Sequence, residues 1–141
     1  MTIRDEINRV VSSEKISDIQ FVRLNQWNWV LEKIAEKFLL QGKADLNHIW
    51  LWERFKEPCE SSQPNDGIAE LKLRLELDSK YWFIASDEDG KYWVMSGLGN
   101  SVVRLLSEMR CFEYYVVSED LNSILCENHH GVFIRKGPRF S

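Results

Sequence analysis

The sequence has little that would cross-link the chain or anchor it in a membrane. Only three cysteines occur in 141 residues, and they are the widely spaced Cys59, Cys111 and Cys126. An odd number of cysteines without a secretory signal predicts reduced thiols and a cytoplasmic protein. No apolar run approaches the roughly 20 residues that a membrane-spanning helix needs, and the charged start of the chain shows no apolar signal region. We therefore expect no membrane partner and no disulfide.

A cluster of basic residues is also missing. Eighteen lysine and arginine residues stand against 22 aspartate and glutamate residues, which gives a formal net charge of −4. Proteins that bind nucleic acids rely on basic patches that neutralise phosphates. The sequence therefore predicts no nucleic-acid partner, and its mild acidity better suits a basic protein partner.

The chain lacks the spacings that hold metal ions, such as CxxC or HxxxH. The segment from Cys126 to His130 has the residue types of a zinc site or of a thiol nucleophile with its base. On a strand, however, alternation would place Cys126, Asn128 and His130 on one face, opposite Glu127 and His129. We predict no metal, no cofactor and no catalytic residue, and we interpret residues 128–131 as a polar turn. The alternative is a small enzyme or a ligand- or metal-binding domain that uses Cys126, His129 and His130.

Tryptophan, by contrast, is abundant. The six tryptophans are Trp27, Trp29, Trp50, Trp52, Trp82 and Trp93. Large aromatic side chains dominate both protein cores and protein interfaces. We expect some of the six to lie at a partner surface or in a cleft.

The length predicts a single domain over residues 1–141, with a helical part over about 1–57 and a sheet part over about 68–137. A capping box of Thr2 and Asp5 precedes an amphipathic helix over residues 3–13. Asn25 is expected to cap a second helix that Gly42 ends. Residues 46–55, with Asp45 as their cap, fit a helix slightly better than a strand, and residues 57–67 are predicted to be a loop.

Residues 68–77 fit two structures. Their four leucines alternate strictly with other residues, which is the pattern of a strand. Leucine, glutamate, lysine and arginine nevertheless favour helices, and no β-branched residue follows Ile68. Both structures stay open for this segment.

The second half of the chain shows strand patterns. Strands are predicted over residues 81–85 and 91–95, joined by a turn in which Gly90 takes a positive φ. A short helix capped by Asn100 or Ser101 follows, and then strands over residues 111–117, 123–128 and 132–135. We therefore predict the α+β class, with N-terminal helices packed on a largely antiparallel sheet of ββαββ order in the C-terminal half.

Glu113 stands beside Tyr114 and Tyr115, and two interpretations compete for this group. An acid among phenols could belong to a hydrolytic cleft. A strand in which one tyrosine faces the core while Glu113 faces water is the commoner arrangement, and we favour it.

The second half also resembles a group of small, largely uncharacterised bacterial proteins. The shared segments are Trp82–Ile84, Tyr92–Gly97, Glu113–Val117 and Cys126–Gly131, together with residues 52–58. Such proteins are similar in size and layout to immunity proteins of bacterial polymorphic-toxin and contact-dependent inhibition systems, although the chain lacks the Leu-Pro and Asn-Gly motifs of the SUKH group. The resemblance implies a protein that binds one basic toxin domain tightly and performs no chemistry.

Exposure and charge select the residues expected to contact such a partner. They are Asp87, Glu88, Asp89, Glu119, Asp120, Glu127, Asn128, His129 and His130. The leading prediction is an immunity-type binding protein that neutralises a cognate toxin domain. A generic adaptor or a homodimeric interaction module is a further alternative.

Overall fold

The computed structural model describes residues 2–47, 50–87, 90–109 and 112–140. The helices of this part of the chain are α1 (Ile3–Ser13), α2 (Leu24–Phe38), α3 (Gly67–Arg74) and α4 (Gly99–Ser107). Its strands are β1 (Gln20–Phe21), β2 (Glu60–Ser62), β3 (Lys80–Ser86), β4 (Tyr92–Leu98), β5 (Tyr114–Ser118), β6 (Ile124–Glu127) and β7 (Phe133–Lys136). Short 3-10 helices span Gly42–Asn47, Leu51–Arg54 and Pro138–Phe140.

The strands form one seven-stranded antiparallel sheet in the order β1-β4-β3-β5-β6-β7-β2. The strands β3, β4, β5 and β6 are neighbours in this sheet, and α4 connects β4 to β5. The predicted α+β class and the ββαββ order of the second half are therefore confirmed.

Helices cover both faces of the sheet. Helices α1, α3 and α4 pack on one face, where Ile7, Leu71 and Val102 belong to the same buried cluster as Phe83. Helix α2 and the 3-10 helix Leu51–Arg54 pack on the other face, in a second buried cluster that includes Tyr115. Because both faces are covered, every residue of β5 is buried.

The predicted capping box of α1 and the predicted glycine turn between β3 and β4 are confirmed. The hydroxyl of Thr2 accepts a hydrogen bond from the Asp5 backbone over 3.1 Å, and the Asp5 carboxylate accepts one from the Thr2 backbone over 3.2 Å. This capping box starts α1 at the predicted residue. Gly90 takes a φ of +86° in the turn between β3 and β4, as the hairpin prediction required.

The predicted ends of α2 are wrong. The helix begins at Leu24 rather than at an Asn25 cap, and Arg23 before it makes no side-chain capping bond. It ends at Phe38, because Leu39 takes an extended conformation and pairs with Phe55. Gly42 takes a φ of +59° and begins the following 3-10 helix.

The segment after α2 forms neither the expected helix nor a strand. It contains the 3-10 helices Gly42–Asn47 and Leu51–Arg54, while His48 and Ile49 lie outside the described residues. Asp45 lies inside the first of these helices, and its carboxylate accepts a hydrogen bond from the Gln41 backbone over 2.7 Å. The predicted loop over residues 57–67 contains β2, which pairs with β7 at one edge of the sheet.

Of the two open possibilities for residues 68–77, the helix is right for residues 68–74, whereas residues 75–77 follow the end of α3 and form no strand. The carboxylate of Asp66 accepts hydrogen bonds from the backbone of Ile68 and Ala69, which starts α3. Four-residue spacing buries Leu71 and Leu75, whereas Leu73 between them is 81% exposed. The alternating leucines therefore do not mark a strand.

Helix α4 begins at Gly99, so the predicted caps Asn100 and Ser101 are wrong. A residue from the connector after α1 takes their place. One oxygen of the Asp18 carboxylate accepts a hydrogen bond from the Leu98 backbone over 2.8 Å, and the other accepts one from the Ser101 hydroxyl over 2.5 Å. Asp18 thus joins the start of α4 to the N-terminal region.

Candidate functional site

The group with the most unusual surroundings is the carboxylate of Glu113, which lies directly before β5. The backbone carbonyl of Glu113 accepts a hydrogen bond from Ser86 over 3.1 Å, which extends the pairing of β5 with β3 by one residue. Glu113 and Tyr115 are two residues apart and therefore point to the same face. That face is the one covered by α2 and the 3-10 helix Leu51–Arg54.

Three donors converge on this carboxylate. Oε1 of Glu113 accepts hydrogen bonds from Nε1 of Trp52 over 2.8 Å and from Nδ1 of His129 over 3.2 Å. Its Oε2 accepts one from the hydroxyl of Tyr115 over 3.0 Å. An indole nitrogen can only donate, and a carboxylate with three donors matches the ionised form, which only accepts.

Glu113 is 6% exposed, so the prediction that it faces water is wrong. The residues that cover it come from distant parts of the chain: Trp52 from a 3-10 helix in the first half and His129 from the turn after β6. A pattern read along β5 alone contains neither of these contacts.

Aromatic rings surround His129 at the surface. The ring centroid of His129 lies 5.1 Å from that of Trp50, 6.3 Å from that of Trp52 and 4.0 Å from that of His130. Trp50 is 39% exposed, and the side chain of His129 is exposed to the same fraction. We call these four residues, Trp50, Trp52, His129 and His130, the ring surface.

The turn after β6 holds the two histidines in place. Oδ1 of Asn128 accepts hydrogen bonds from the backbone of His130 over 2.9 Å and of Val132 over 3.1 Å. Gly131 takes a φ of +76° there. The predicted polar turn is confirmed, but the expected exposure of Asn128 is wrong, because this side chain is buried within the turn.

The turn also changes which faces the site residues occupy. Alternation holds for Cys126 and Glu127, which belong to β6. It fails for His129, which contacts Glu113 rather than lying on the face of Glu127, because the strand ends at Glu127 and the turn redirects the chain. The two histidines consequently lie side by side.

Cys126 is fully buried, and burial raises the pKa of its thiol well above the ordinary value, with a further contribution from the charge of Glu113. The thiolate is the reactive form of cysteine, so this environment opposes nucleophilic chemistry. Among the residues that the structure describes, neither histidine forms a hydrogen bond with Cys126. The sequence segment that suggested a nucleophile and its base therefore does not bring them together.

Glu127 lies on the opposite face of the sheet from Cys126. Its Oε1 accepts a hydrogen bond from the hydroxyl of Tyr114 over 2.8 Å. Burial raises the pKa of this carboxyl, and the hydrogen bond from Tyr114 partly opposes the rise. Glu127 is partly buried, so it offers a partner less surface than the sequence suggested.

Three of the remaining predicted contact residues, Asp87, Glu119 and Asp120, contact other parts of the chain. Asp87 accepts hydrogen bonds from Nε1 of Trp93 over 2.8 Å and from the Ile3 backbone over 3.3 Å, so it links the β3–β4 turn to α1. Glu88 and Asp89 lie outside the described residues, as do Cys111 and the start of its predicted strand.

Glu119 and Asp120 line a cavity of about 450 Å³ at the turn after β5. Both carboxylates face cations of this chain: Glu119 lies 3.9 Å from Nζ of Lys80, and Asp120 lies 3.5 Å from a guanidinium nitrogen of Arg139. Hydrogen bonds, chiefly from the Ser118 hydroxyl, lower the pKa of Asp120. The charges of this cavity are thus largely paired within the chain.

No group of three histidine, cysteine, aspartate or glutamate side chains within the described ranges is arranged to hold a metal ion. None of the helices in that part of the chain has the length and apolar character needed to cross a membrane.

The fold and the site define an α+β protein with a helix-covered antiparallel sheet and a buried carboxylate beneath exposed rings. The chain belongs to a family of unknown function, DUF6756, whose model matches residues 1–140. No curated protein and no solved structure matches the chain.

The sequence identified part of this site and missed the rest. His129 and His130 were expected at a contact surface, whereas Trp50, Trp52 and Glu113 were not assigned to it. A signal existed, because the segments that carry the bacterial resemblance include residues 52–58, Glu113–Val117 and Cys126–Gly131. The structure brings residues of all three segments into contact.

Proposed function

We propose that the protein neutralises a cognate bacterial toxin domain by direct contact and that the ring surface is the centre of the interface. The observation that carries the proposal is that exposed Trp50 and His129 lie on a framework fixed by the buried carboxylate of Glu113. Exposed aromatic residues on a rigid base are typical of the residues that dominate binding energy at protein interfaces. The resemblance to immunity proteins supports the same function.

Charge supports a basic partner. The formal net charge of the chain is −4, and complementary charge speeds the encounter of two proteins and disfavours wrong partners. A toxin domain that acts on nucleic acids is basic because it must bind the negatively charged phosphates of its substrate. An acidic protein with an aromatic contact surface is suited to such a target.

A second candidate function is acid–base catalysis, and the contact between Glu113 and His129 favours it. A buried carboxylate that holds Nδ1 of an imidazole leaves Nε2 free to exchange a proton, which is how many catalytic histidines are oriented. In this reading the ring surface would hold the substrate rather than a protein.

Co-expression with the toxin domain encoded by the adjacent gene tests the proposal. We expect the two proteins to co-purify and the wild-type chain to protect cells from the toxin. Trp50→Ala should weaken the complex by about 30-fold or more, which is the scale of an interface hot spot. Trp29→Ala is the matched control, because Trp29 is an exposed tryptophan of α2 with 46% of its surface accessible.

The outcome separates the two candidate functions. Neutralisation by contact requires one molecule of this protein for each toxin molecule, and the wild type should titrate toxin activity with an equimolar end point. Inactivation of many toxin molecules by one molecule of the protein would favour catalysis. Absence of both co-purification and protection would overturn the toxin proposal.

A further inference from the structure

In the described part of the chain, the negative charge of Glu113 has no lysine or arginine beside it. Among the described residues, its hydrogen-bond donors are the indole of Trp52, the phenol of Tyr115 and the imidazole of His129. In the described part of the chain no lysine or arginine forms an ion pair with Glu113. Buried charges in proteins are normally paired. Among the described residues, the group beside Glu113 that can carry a positive charge is His129, and the neutral form of its imidazole supplies none.

Of the donors to this charge among the described residues, His129 is the exposed one. In the neutral tautomer that donates from Nδ1 to Oε1 of Glu113, the lone pair of the imidazole lies on Nε2. Within residues 2–47, 50–87, 90–109 and 112–140, Nε2 has no hydrogen-bond partner. The exposed side of His129 can therefore accept a hydrogen bond from a donor outside the chain.

The neighbouring rings suit a flat cation. The rings of Trp50 and His130 both lie next to that of His129, with centroids 5.1 Å and 4.0 Å from it. The face of a tryptophan attracts cations through its quadrupole. A guanidinium group is planar, stacks on aromatic faces and donates N–H bonds in its plane, whereas an ammonium group is compact and more strongly hydrated.

We propose that the ring surface binds an arginine side chain of the toxin domain, whose guanidinium stacks on Trp50 and donates a hydrogen bond to Nε2 of His129. The charge of Glu113 beneath the imidazole favours this cation, which supplies the missing half of the ion pair. The inference rests on the proposed function for the identity of the partner. The guanidinium site itself is a property of this chain alone.

The site is tested without the toxin by NMR titration of the full chain with N-acetyl-arginine amide. We expect the indole N–H signal of Trp50 and the Nε2 signal of His129 to shift in a saturable way, while the Trp29 indole signal stays in place. N-acetyl-lysine amide is the matched probe, and it should bind more weakly.

The affinities of three variants for the arginine amide show which side chains contribute to binding. Trp50→Ala should lower the affinity for the arginine amide by about 2- to 30-fold, the range of cation–π contacts. Glu113→Gln retains an acceptor oxygen for Trp52 and His129 but removes the charge, so it should also weaken binding. Trp29→Ala should leave the affinity unchanged.

The outcomes separate the inference from the proposed function. Protonation of Nε2 of His129 in the free protein, equal binding of both amides, or no shift at Trp50 would each overturn the arginine site. A toxin complex that depends on Trp50, without a response to the arginine amide, would keep the proposed function and refute the inference. Saturable arginine binding by a protein that neither binds nor neutralises the toxin would support the arginine site and refute the proposed function.

Discussion

The hydrogen bond between Trp52 and Glu113 leads to the sharpest prediction about stability. Trp52→Phe keeps an aromatic ring in the 3-10 helix Leu51–Arg54 but removes the N–H that donates to Oε1 of Glu113 over 2.8 Å. The carboxylate is only 6% exposed, so water does not readily replace the lost donor. The variant therefore leaves a buried, charged oxygen with one donor fewer.

The expected cost follows from the charge of the acceptor. A hydrogen bond to a charged group contributes about 1.5–3 kcal/mol to stability, roughly twice the contribution of a bond between neutral groups. For a domain of this length such a loss lowers the Tm by roughly 5–10 °C. Thermal and urea unfolding of the wild type and the variant measure both quantities.

Two other tryptophans are matched controls. Nε1 of Trp82 donates to the backbone carbonyl of Glu119 over 3.4 Å, a long bond to a neutral acceptor at the surface. Trp82→Phe should cost about 0.5 kcal/mol or less. Nε1 of Trp93 donates to the carboxylate of Asp87 over 2.8 Å, and this partly buried pair should give an intermediate cost.

A double-mutant cycle identifies the charge as the cause. In the background of Glu113→Gln the acceptor is neutral, and Trp52→Phe should then cost only about 0.5–1.5 kcal/mol. If Trp52→Phe is no more destabilising than Trp82→Phe in the wild-type background, Glu113 is not a charged acceptor that depends on Trp52. That result would also refute the argument that Glu113 holds the ring surface in place before a partner binds.

Three further predictions concern other parts of the chain. Because burial raises the pKa of Glu127, the stability of the wild type relative to Glu127→Gln should fall as the pH rises above the ordinary value of 4.5, and urea unfolding at several pH values measures this. Gly137→Ala should lower the free energy of unfolding by about 1–3 kcal/mol, because Gly137 has a φ of +97° and a Cβ there would collide with the Asn122 carbonyl. The control is Gly90→Ala, whose Cβ meets no neighbour and which should lower this free energy less in the same unfolding assay. Cys126 should resist iodoacetamide in the folded protein and react in urea, as peptide mass spectrometry would show.

The parts of the fold that the sequence predicted are those with local causes. Helix α1 has its capping box and its apolar stripe within eleven residues, and the β3–β4 hairpin has its glycine in the turn. Each of these signals acts between residues close in the chain. The segregation of helices and strands, and with it the α+β class, follows from such signals alone.

The errors have causes that lie far away in the chain. Strand β2 consists of Glu60, Ser61 and Ser62, none of which favours a strand, and it exists because β7 pairs with it. Helix α4 is joined at its start by Asp18, about 80 residues earlier, rather than by its own Asn100 or Ser101. No local pattern contains such contacts.

The part of the candidate site around Glu113 was missed for the same reason. Nothing around Glu113 in the sequence indicates that a 3-10 helix from the first half will cover it, and its sequence neighbours suggest a strand residue facing water. The burial of Glu113 results from Trp52 and His129, which lie around it in the folded chain. The resemblance to other proteins carried this information indirectly, since it spanned all three segments.

Stability alone does not explain why the carboxylate of Glu113 is buried. Removing an ionised carboxylate from water is costly, and a well-packed apolar group in its place is often neutral or stabilising. The three donors around Glu113 reduce this cost, which is why the loss of Trp52 should destabilise the fold, but none of them is a lysine or arginine. A buried charge that has no lysine or arginine beside it in the described part of the chain can be completed by a bound cation. The exposed imidazole of His129 lies between this charge and solvent, so the partner that supplies the cation would recover stability that the isolated protein lacks.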